Sequence, residues 1–212
     1  MEQWQTVDWS QVLVCSAAAY ALGCFATGYY LVRARTSRDI REIESGSIGA
    51  RNVGRLLGKA GFLLTVLGDF AKGYLAVWAV HHFKSNGVLT GLAMLAVVAG
   101  HIWPVQLGFR GGKGVATSLG ALLVCDHWLA FAYAVVFLGG FIVTRKTILP
   151  GLFAYAVLPL TSFWLDHDGA KAIVITVLSA MVILAHRRNI IEEIPALAAR
   201  FGVEPKPEHP KL

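Results

Sequence analysis

Long apolar segments alternate along the chain with short segments that carry nearly all of the charged residues. An apolar run of about 17–25 residues can cross a bilayer as a helix, because a helix satisfies its own backbone hydrogen bonds. The candidate segments are Gln11–Val32, Gly61–Val80, Val88–Trp103, Gly114–Val124, Trp128–Val143, Ile148–Leu165 and Ala170–Ala185. This pattern predicts an all-α, polytopic membrane protein with about seven transmembrane helices.

The distribution of lysine and arginine supports that count and sets the orientation. Gly114–Val124 is too short to cross unless its neighbours shield it, but omitting it would place Arg145, Lys146 and the basic C-terminus outside. With seven crossings, the loops on one side contain only Lys84 and Lys171. The opposite side receives Arg33, Arg35, Arg38, Arg41, Arg51, Arg55, Lys59, Arg110, Lys113, Arg145, Lys146, Arg187, Arg188, Arg200, Lys206 and Lys211. Cytoplasmic loops are enriched in basic residues, so we expect an outside N-terminus and a cytoplasmic C-terminus.

The composition and the net charge exclude several classes of protein and partner. Of the 212 residues, 56% are hydrophobic and 15% are charged, whereas a soluble domain has about 25% charged residues; this excludes a disordered chain and a conventional soluble enzyme. The net charge of +6 follows from the membrane topology, so no nucleic-acid partner is expected. We predict one transmembrane domain over residues 1–194, followed by a polar, proline-rich cytoplasmic tail over 195–212.

The strongest candidate site is the segment of residues 100–117, on the predicted cytoplasmic side. Gly111 and Gly112 allow backbone N–H groups to approach an anion closely, and a helix start follows at once. A helix N-terminus adds unpaired donors, and Lys113 adds a full positive charge. The segment contains no carboxylate that would hold a metal. It therefore favours binding of a phosphate and argues against ATP–Mg²⁺ chemistry.

Two further polar segments lie on the same predicted side. Residues 45–55 combine small residues and hydroxyls with two arginines, and residues 186–189 supply a histidine, two cations and an asparagine. Glycine-rich turns and basic residues at span ends also occur as plain turns and topology anchors. Three such segments on one side favour a cationic, glycine-lined pocket at the membrane surface.

One pair of charges lies inside a predicted span. Asp69 and Lys72 are three residues apart and so share one face of the second helix. Intramembrane charges often mark functional sites, but this pair can also neutralise itself as a structural ion pair. The sequence leaves both interpretations open.

Three motifs together resemble the bacterial PlsY family of membrane acyl-phosphate:glycerol-3-phosphate acyltransferases. They are Gly-His-x-x-Pro-Val-x-Leu-Gly-Phe-x-Gly-Gly-Lys-Gly-Val-Ala-Thr at residues 100–117, Gly-Asp-x-x-Lys-Gly at 68–73 and His-Arg-x-Asn at 186–189. The resemblance implies seven helices in the cell (inner) membrane, with a cytoplasmic active site. It also implies acyl transfer from acyl phosphate to the 1-hydroxyl of sn-glycerol 3-phosphate, giving lysophosphatidic acid and phosphate, the first committed step of phospholipid synthesis. The family works without coenzyme A, carrier protein or metal, so no cofactor is expected.

The resemblance also implies roles for individual residues. The substrate-binding positions are Ser45, Arg55, Gly111, Gly112, Lys113, His186 and Asn189. Lys113 is expected to stabilise the leaving phosphate, and His101 or His186 is the candidate general base, with a substrate phosphate as the alternative. The expected partners are acyl phosphate, glycerol 3-phosphate and the lipid bilayer, together with contact to the enzyme that produces acyl phosphate.

The chain also departs from the family pattern. Glu44, Ser47 and Arg51 replace usual residues of the first motif, and Gly151 stands where a serine is expected, with Thr147 nearby. These departures leave a divergent homologue with another acceptor or weakened activity as an alternative. A small-anion transporter is a further alternative, although such proteins usually carry polar groups at the bilayer midplane and related broken helices.

Overall fold

A computed structural model describes residues 8–84 and 86–200, and every regular element in these ranges is a helix. The α-helices are α1 (Trp9–Cys24), α2 (Thr27–Thr36), α3 (Ala50–Lys84), α4 (Gly87–Ile102), α5 (Val115–Cys125), α6 (His127–Thr144), α7 (Ile148–Asp166), α8 (Gly169–Ala185) and α9 (Arg187–Arg200). Short 3₁₀ helices cover Ile40–Glu42 and Val105–Leu107. The predicted all-α class is confirmed.

Five helical segments are long and apolar enough to cross a membrane: Trp9–Thr36, Ala50–Lys84, Gly87–Leu107, His127–Thr144 and Ile148–Asp166. Two shorter apolar helices, α5 and α8, correspond to the fourth and seventh predicted spans. Seven crossings with an outside N-terminus remain a prediction. The predicted domain boundary after residue 194 falls inside α9, and residues 201–212 of the predicted tail lie outside the described residues.

Polar contacts mark the two ends of the helices from α5 to α8. At one end, Lys171 at the start of α8 binds Asp126, between α5 and α6, and lies 2.6 Å from Asp166 at the end of α7. At the other end, Lys113, just before α5, contacts α9, directly after α8. The eleven residues of α5 therefore connect the same two polar ends as the longer α7, although they rise only about 16 Å.

The first predicted span is broken instead of continuous. Phe25 and Ala26 separate α1 from α2, and the break frees backbone carbonyls inside an apolar region. Side chains from other helices satisfy them: Gln106 Nε2 donates to the Cys24 carbonyl at 2.5 Å, and Lys72 Nζ donates to the Phe25 carbonyl at 2.6 Å. Non-helical backbone at membrane depth requires such partners. Sequence periodicity did not predict the break, because these partners lie about 50–80 residues away in the chain.

Helix α3 crosses α5 without side chains between the two backbones. A Cβ atom on Gly73 would lie 2.0 Å from the Thr117 carbonyl oxygen, and one on Gly120 would lie 2.1 Å from the Phe70 carbonyl oxygen. Small residues allow membrane helices to pack this closely. The crossing holds the start of α5, and thus the Gly111–Lys113 segment, against the middle of α3.

We expect Gly73→Val to destabilise the protein by about 3 kcal/mol, because the new side chain would overlap a backbone carbonyl and force the two helices apart. Thermal unfolding of the purified protein in detergent measures the effect. Gly139→Ala is the matched control, since a Cβ at Gly139 meets nothing within 4 Å. A Gly73→Val variant as stable as this control would contradict the packing described here.

Candidate functional site

Lys113 and Asn189 form the centre of the candidate site. Lys113 Nζ donates a hydrogen bond to Asn189 Oδ1, which joins the segment before α5 to the first turn of α9. Directly after Lys113, Gly114 takes a left-handed conformation with φ 86° and caps α5 without a side-chain hydrogen bond. The first amide groups of α5 therefore have no intrahelical acceptor, and they add donors beside the ammonium group.

His186 lies between α8 and α9 and is only 6% exposed. Its Nδ1 atom lies 2.8 Å from the Val182 carbonyl oxygen. A carbonyl only accepts hydrogen bonds, so Nδ1 carries the proton of the neutral ring and Nε2 keeps its lone pair. Burial lowers the pKa of His186, and the positive charges of Lys113 and Arg51 lower it further, against the opposing effect of the Val182 bond. His186 is therefore a neutral base next to two cations.

Arg51 brings the first polar segment to the same place. It lies in the first turn of α3, and its Nη2 atom hydrogen-bonds to Thr147 Oγ1 at the start of α7. Arg51 is also close enough to His186 for its charge to act on the imidazole. The termini of α3, α5, α7 and α8 thus contribute to one cationic cluster.

Ser45 and Arg55 flank the start of α3. Ser45 is exposed in the preceding loop, and Arg55 is one helical turn after Arg51 on the same face. Arg55 forms an exposed ion pair with Glu44, with 3.7 Å between Nη1 and Oε2. Asn52 holds this loop in place, because its buried side-chain amide donates hydrogen bonds to the carbonyls of Ile43 and Ser47, both at 2.9 Å.

His101 does not line the cluster. Its side chain is 4% exposed at the end of α4, and a Cβ on Gly112 would lie 2.1 Å from its Nε2 atom. The ring therefore lies directly against Gly112. The glycine segment stands between the ring and the cluster, so His101 can affect a bound ligand only by holding that segment in place. The role of His101 as general base stays a prediction, which the buried position of its ring does not favour.

The backbone N–H groups of Gly111 and Gly112 point in a different direction from the one expected. The N–H of Gly111 donates to the Ile102 carbonyl at 3.1 Å, and the N–H of Gly112 donates to the His101 carbonyl at 3.0 Å. These amides hold the segment against α4 and are not turned toward an anion. Phosphate binding by the segment stays a prediction, but in this conformation these two amides are not its donors. The glycines serve instead to let the segment lie flat on the His101 ring, while Lys113 and the start of α5 face the cluster.

The structure joins Lys113 to Asn189 directly and places Lys113 close enough to His186 for its charge to act on the ring; their roles in the site stay predictions. It also joins Arg51, one of the two arginines of the first polar segment, to Thr147, which the sequence analysis named only as a residue near Gly151. Their hydrogen bond spans 96 residues of chain, so spacing alone gave no signal that they are partners. It also joins His101 to Asp69 and Lys72 beneath the site.

Comparison with known proteins places this chain in a family. The family model described as glycerol-3-phosphate acyltransferase matches residues 13–195. Glycerol-3-phosphate acyltransferase 1 of Desulfitobacterium hafniense is 48% identical over 174 residues, covering 82% of this chain and 86% of that protein. Glycerol-3-phosphate acyltransferase of Laribacter hongkongensis is 38% identical over 192 residues, covering 89% of this chain and 95% of that protein.

Two solved structures share the fold. Both are crystal structures of PlsY (YgiH), an integral membrane glycerol 3-phosphate acyltransferase. The glycerol 3-phosphate form superimposes with a TM-score of 0.78 at 32% identity, covering 92% of this chain and 94% of that chain. The lysophosphatidic acid form gives a TM-score of 0.75 at 31% identity, with the same coverage of both chains.

Proposed function

Because the chain belongs to the glycerol-3-phosphate acyltransferase (PlsY) family, an integral membrane acyltransferase family, we propose that its acyl donor is acyl phosphate and that it acylates the 1-hydroxyl of glycerol 3-phosphate. The products are lysophosphatidic acid and inorganic phosphate. The cluster of Lys113, Arg51, His186 and Asn189 carries this proposal, since it joins phosphate-binding cations to a neutral base. We propose that the cluster faces the cytoplasm in a seven-span arrangement in the inner membrane.

In this mechanism the two substrates each bring a phosphoryl group to the cationic cluster. Lys113, Asn189 and the first amides of α5 bind one, and the Ser45–Arg55 segment binds the other. Acyl phosphate is already activated, so positioning and charge stabilisation supply most of the rate acceleration. The acyl chain stays in the apolar phase, which avoids transferring it through water.

The chemical step needs one proton acceptor. The acceptor hydroxyl oxygen attacks the carbonyl carbon, the bond from that carbon to the phosphate oxygen breaks, and phosphate leaves with its electron pair. His186 Nε2 takes the hydroxyl proton, because its lone pair is free while Nδ1 is bound to Val182. His101 Nδ1 is bound to Lys72, which disfavours it as the base.

The donor is tested with purified protein in lipid nanodiscs, supplied with glycerol 3-phosphate and either palmitoyl phosphate or palmitoyl coenzyme A. We expect equal amounts of lysophosphatidic acid and released phosphate with the first donor and no transfer with the second. Transfer from the coenzyme A thioester alone would refute the proposed donor. Other polyol phosphates in the same assay test the identity of the acceptor. This test is needed because Glu44 and Arg51 replace usual residues of the first family motif.

The charge of Arg51 is expected to set the pH dependence of the reaction. Removing it in Arg51→Gln raises the pKa of His186, since one of the cations that lower it is gone. The neutral base then becomes available only at higher pH, so the ascending limb of kcat/KM against pH moves to higher pH. Arg35→Gln, at an exposed position of α2, is the control and leaves the profile in place. An unchanged limb in Arg51→Gln would contradict His186 as the base.

A further inference from the structure

Three buried side chains meet beneath the glycine segment: Asp69 and Lys72 of α3 and His101 of α4. Their side chains are 4–5% exposed. Lys72 Nζ lies 2.8 Å from His101 Nδ1 and 3.1 Å from Asp69 Oδ1. It also donates to the Phe25 carbonyl at the break between α1 and α2, at 2.6 Å. The ammonium group thus has three partners: it hydrogen-bonds to the Phe25 carbonyl and to the His101 ring, and it forms an ion pair with Asp69.

This arrangement fixes which nitrogen of His101 carries the proton. A lysine ammonium only donates, and the Asp69 carboxylate 3.1 Å away favours the charged form of Lys72. His101 Nδ1 must therefore accept, so the neutral ring carries its proton on Nε2. His186 has the opposite tautomer, because a carbonyl binds its Nδ1.

The other edge of the His101 ring supports the candidate site. Nε2 lies beneath Gly112, where an added Cβ would be 2.1 Å away, and the His101 carbonyl accepts the Gly112 N–H at 3.0 Å. Gly112 directly precedes Lys113. The position of the Lys113 backbone therefore depends on the ring, and the position of the ring depends on Lys72.

We propose that Asp69 and Lys72 are positioning residues, which hold His101 as the Nε2–H tautomer so that its ring fixes the Gly112–Lys113 segment for phosphoryl binding. The inference rests on the proposed function for its activity readout. A structural ion pair alone would explain the contact between Asp69 and Lys72. It would not explain the hydrogen bonds from the ammonium group to the Phe25 carbonyl and to the ring under the site.

The decisive variant is the double substitution Asp69→Leu/Lys72→Met. Replacing both partners of a buried ion pair by apolar residues of similar volume is often neutral for stability, whereas removing one partner leaves a buried charge. We expect the double variant to keep its melting temperature within a few degrees of the wild type and to lose about 100-fold in kcat/KM, as displacement of a positioned group by about 1 Å can cost. Lys72→Met alone is expected to lose stability as well. A folded double variant with wild-type kcat/KM would overturn the proposal.

A second measurement is independent of activity. In ¹⁵N spectra of histidine-labelled protein, His101 of the wild type is expected to show a protonated Nε2 and an unprotonated Nδ1, and the double variant is expected to show a mixture of tautomers. Protonation of Nδ1 in the wild type would overturn the proposal. If the double variant does not fold, the wild-type spectrum alone is the test. A wild type with the expected tautomer but without acyl transfer would refute the proposed function and leave the tautomer assignment standing.

Discussion

Lys113→Met is expected to lower kcat/KM for acyl transfer by about 10³-fold, as loss of one donor to developing charge does in other acyl transfer enzymes. The substitution removes the positive charge that contacts Asn189 and acts on His186. The leaving phosphate then has no ammonium group beside it. The loss is measured from steady-state rates of phosphate release. Each rate is divided by the amount of protein, which is determined by fluorescence detection.

Two variants make this result specific. Lys113→Arg keeps the charge and is expected to recover part of the activity, while Lys59→Met, at an exposed position of α3, is expected to behave as wild type. Unfolding temperatures of all three are compared with that of the wild type. A folded Lys113→Met variant with more than a tenth of the wild-type kcat/KM would show that the leaving phosphate is stabilised elsewhere.

Gly112→Ala is expected to have the second largest effect, a loss of about 100-fold in kcat/KM from a single methyl group. The methyl carbon would lie 2.1 Å from His101 Nε2, well inside contact distance. The ring is buried and bound to Lys72 on its other edge, so the segment must move and Lys113 moves with it. The effect is measured by the same rate assay together with the KM for each substrate.

The matched control is Gly169→Ala, since a Cβ at Gly169 meets nothing within 4 Å. It is expected to keep full activity. Wild-type kcat and KM values in Gly112→Ala would mean that the ring yields freely, which would contradict its role in holding the segment.

Much of the fold follows from local pattern. The seven predicted apolar segments all overlap helices, because apolar length is a property that the sequence carries locally. The break at Phe25–Ala26 does not follow from that pattern. It depends on Lys72 and Gln106, which reach the freed carbonyls from α3 and from the segment after α4.

The candidate site was only partly predictable for the same reason. Lys113, His186 and Asn189 stand in recognisable motifs, and the structure brings them together. The tautomers of the two histidines, the inward direction of the glycine amides and the bond between Arg51 and Thr147 all depend on contacts between distant parts of the chain. Residue spacing does not encode such contacts.

The central claim is that three polar segments form one phosphoryl-binding cluster on a single membrane face. Labelling with a membrane-impermeant thiol reagent tests it most directly, using Ser45→Cys, Lys113→Cys and Asn189→Cys in a background where Cys15, Cys24 and Cys125 are replaced by serine. We predict that inside-out vesicles label all three positions, that glycerol 3-phosphate slows labelling at Ser45→Cys, and that a Lys84→Cys control is labelled only in right-side-out cells. Labelling of the three positions from opposite faces would contradict the account.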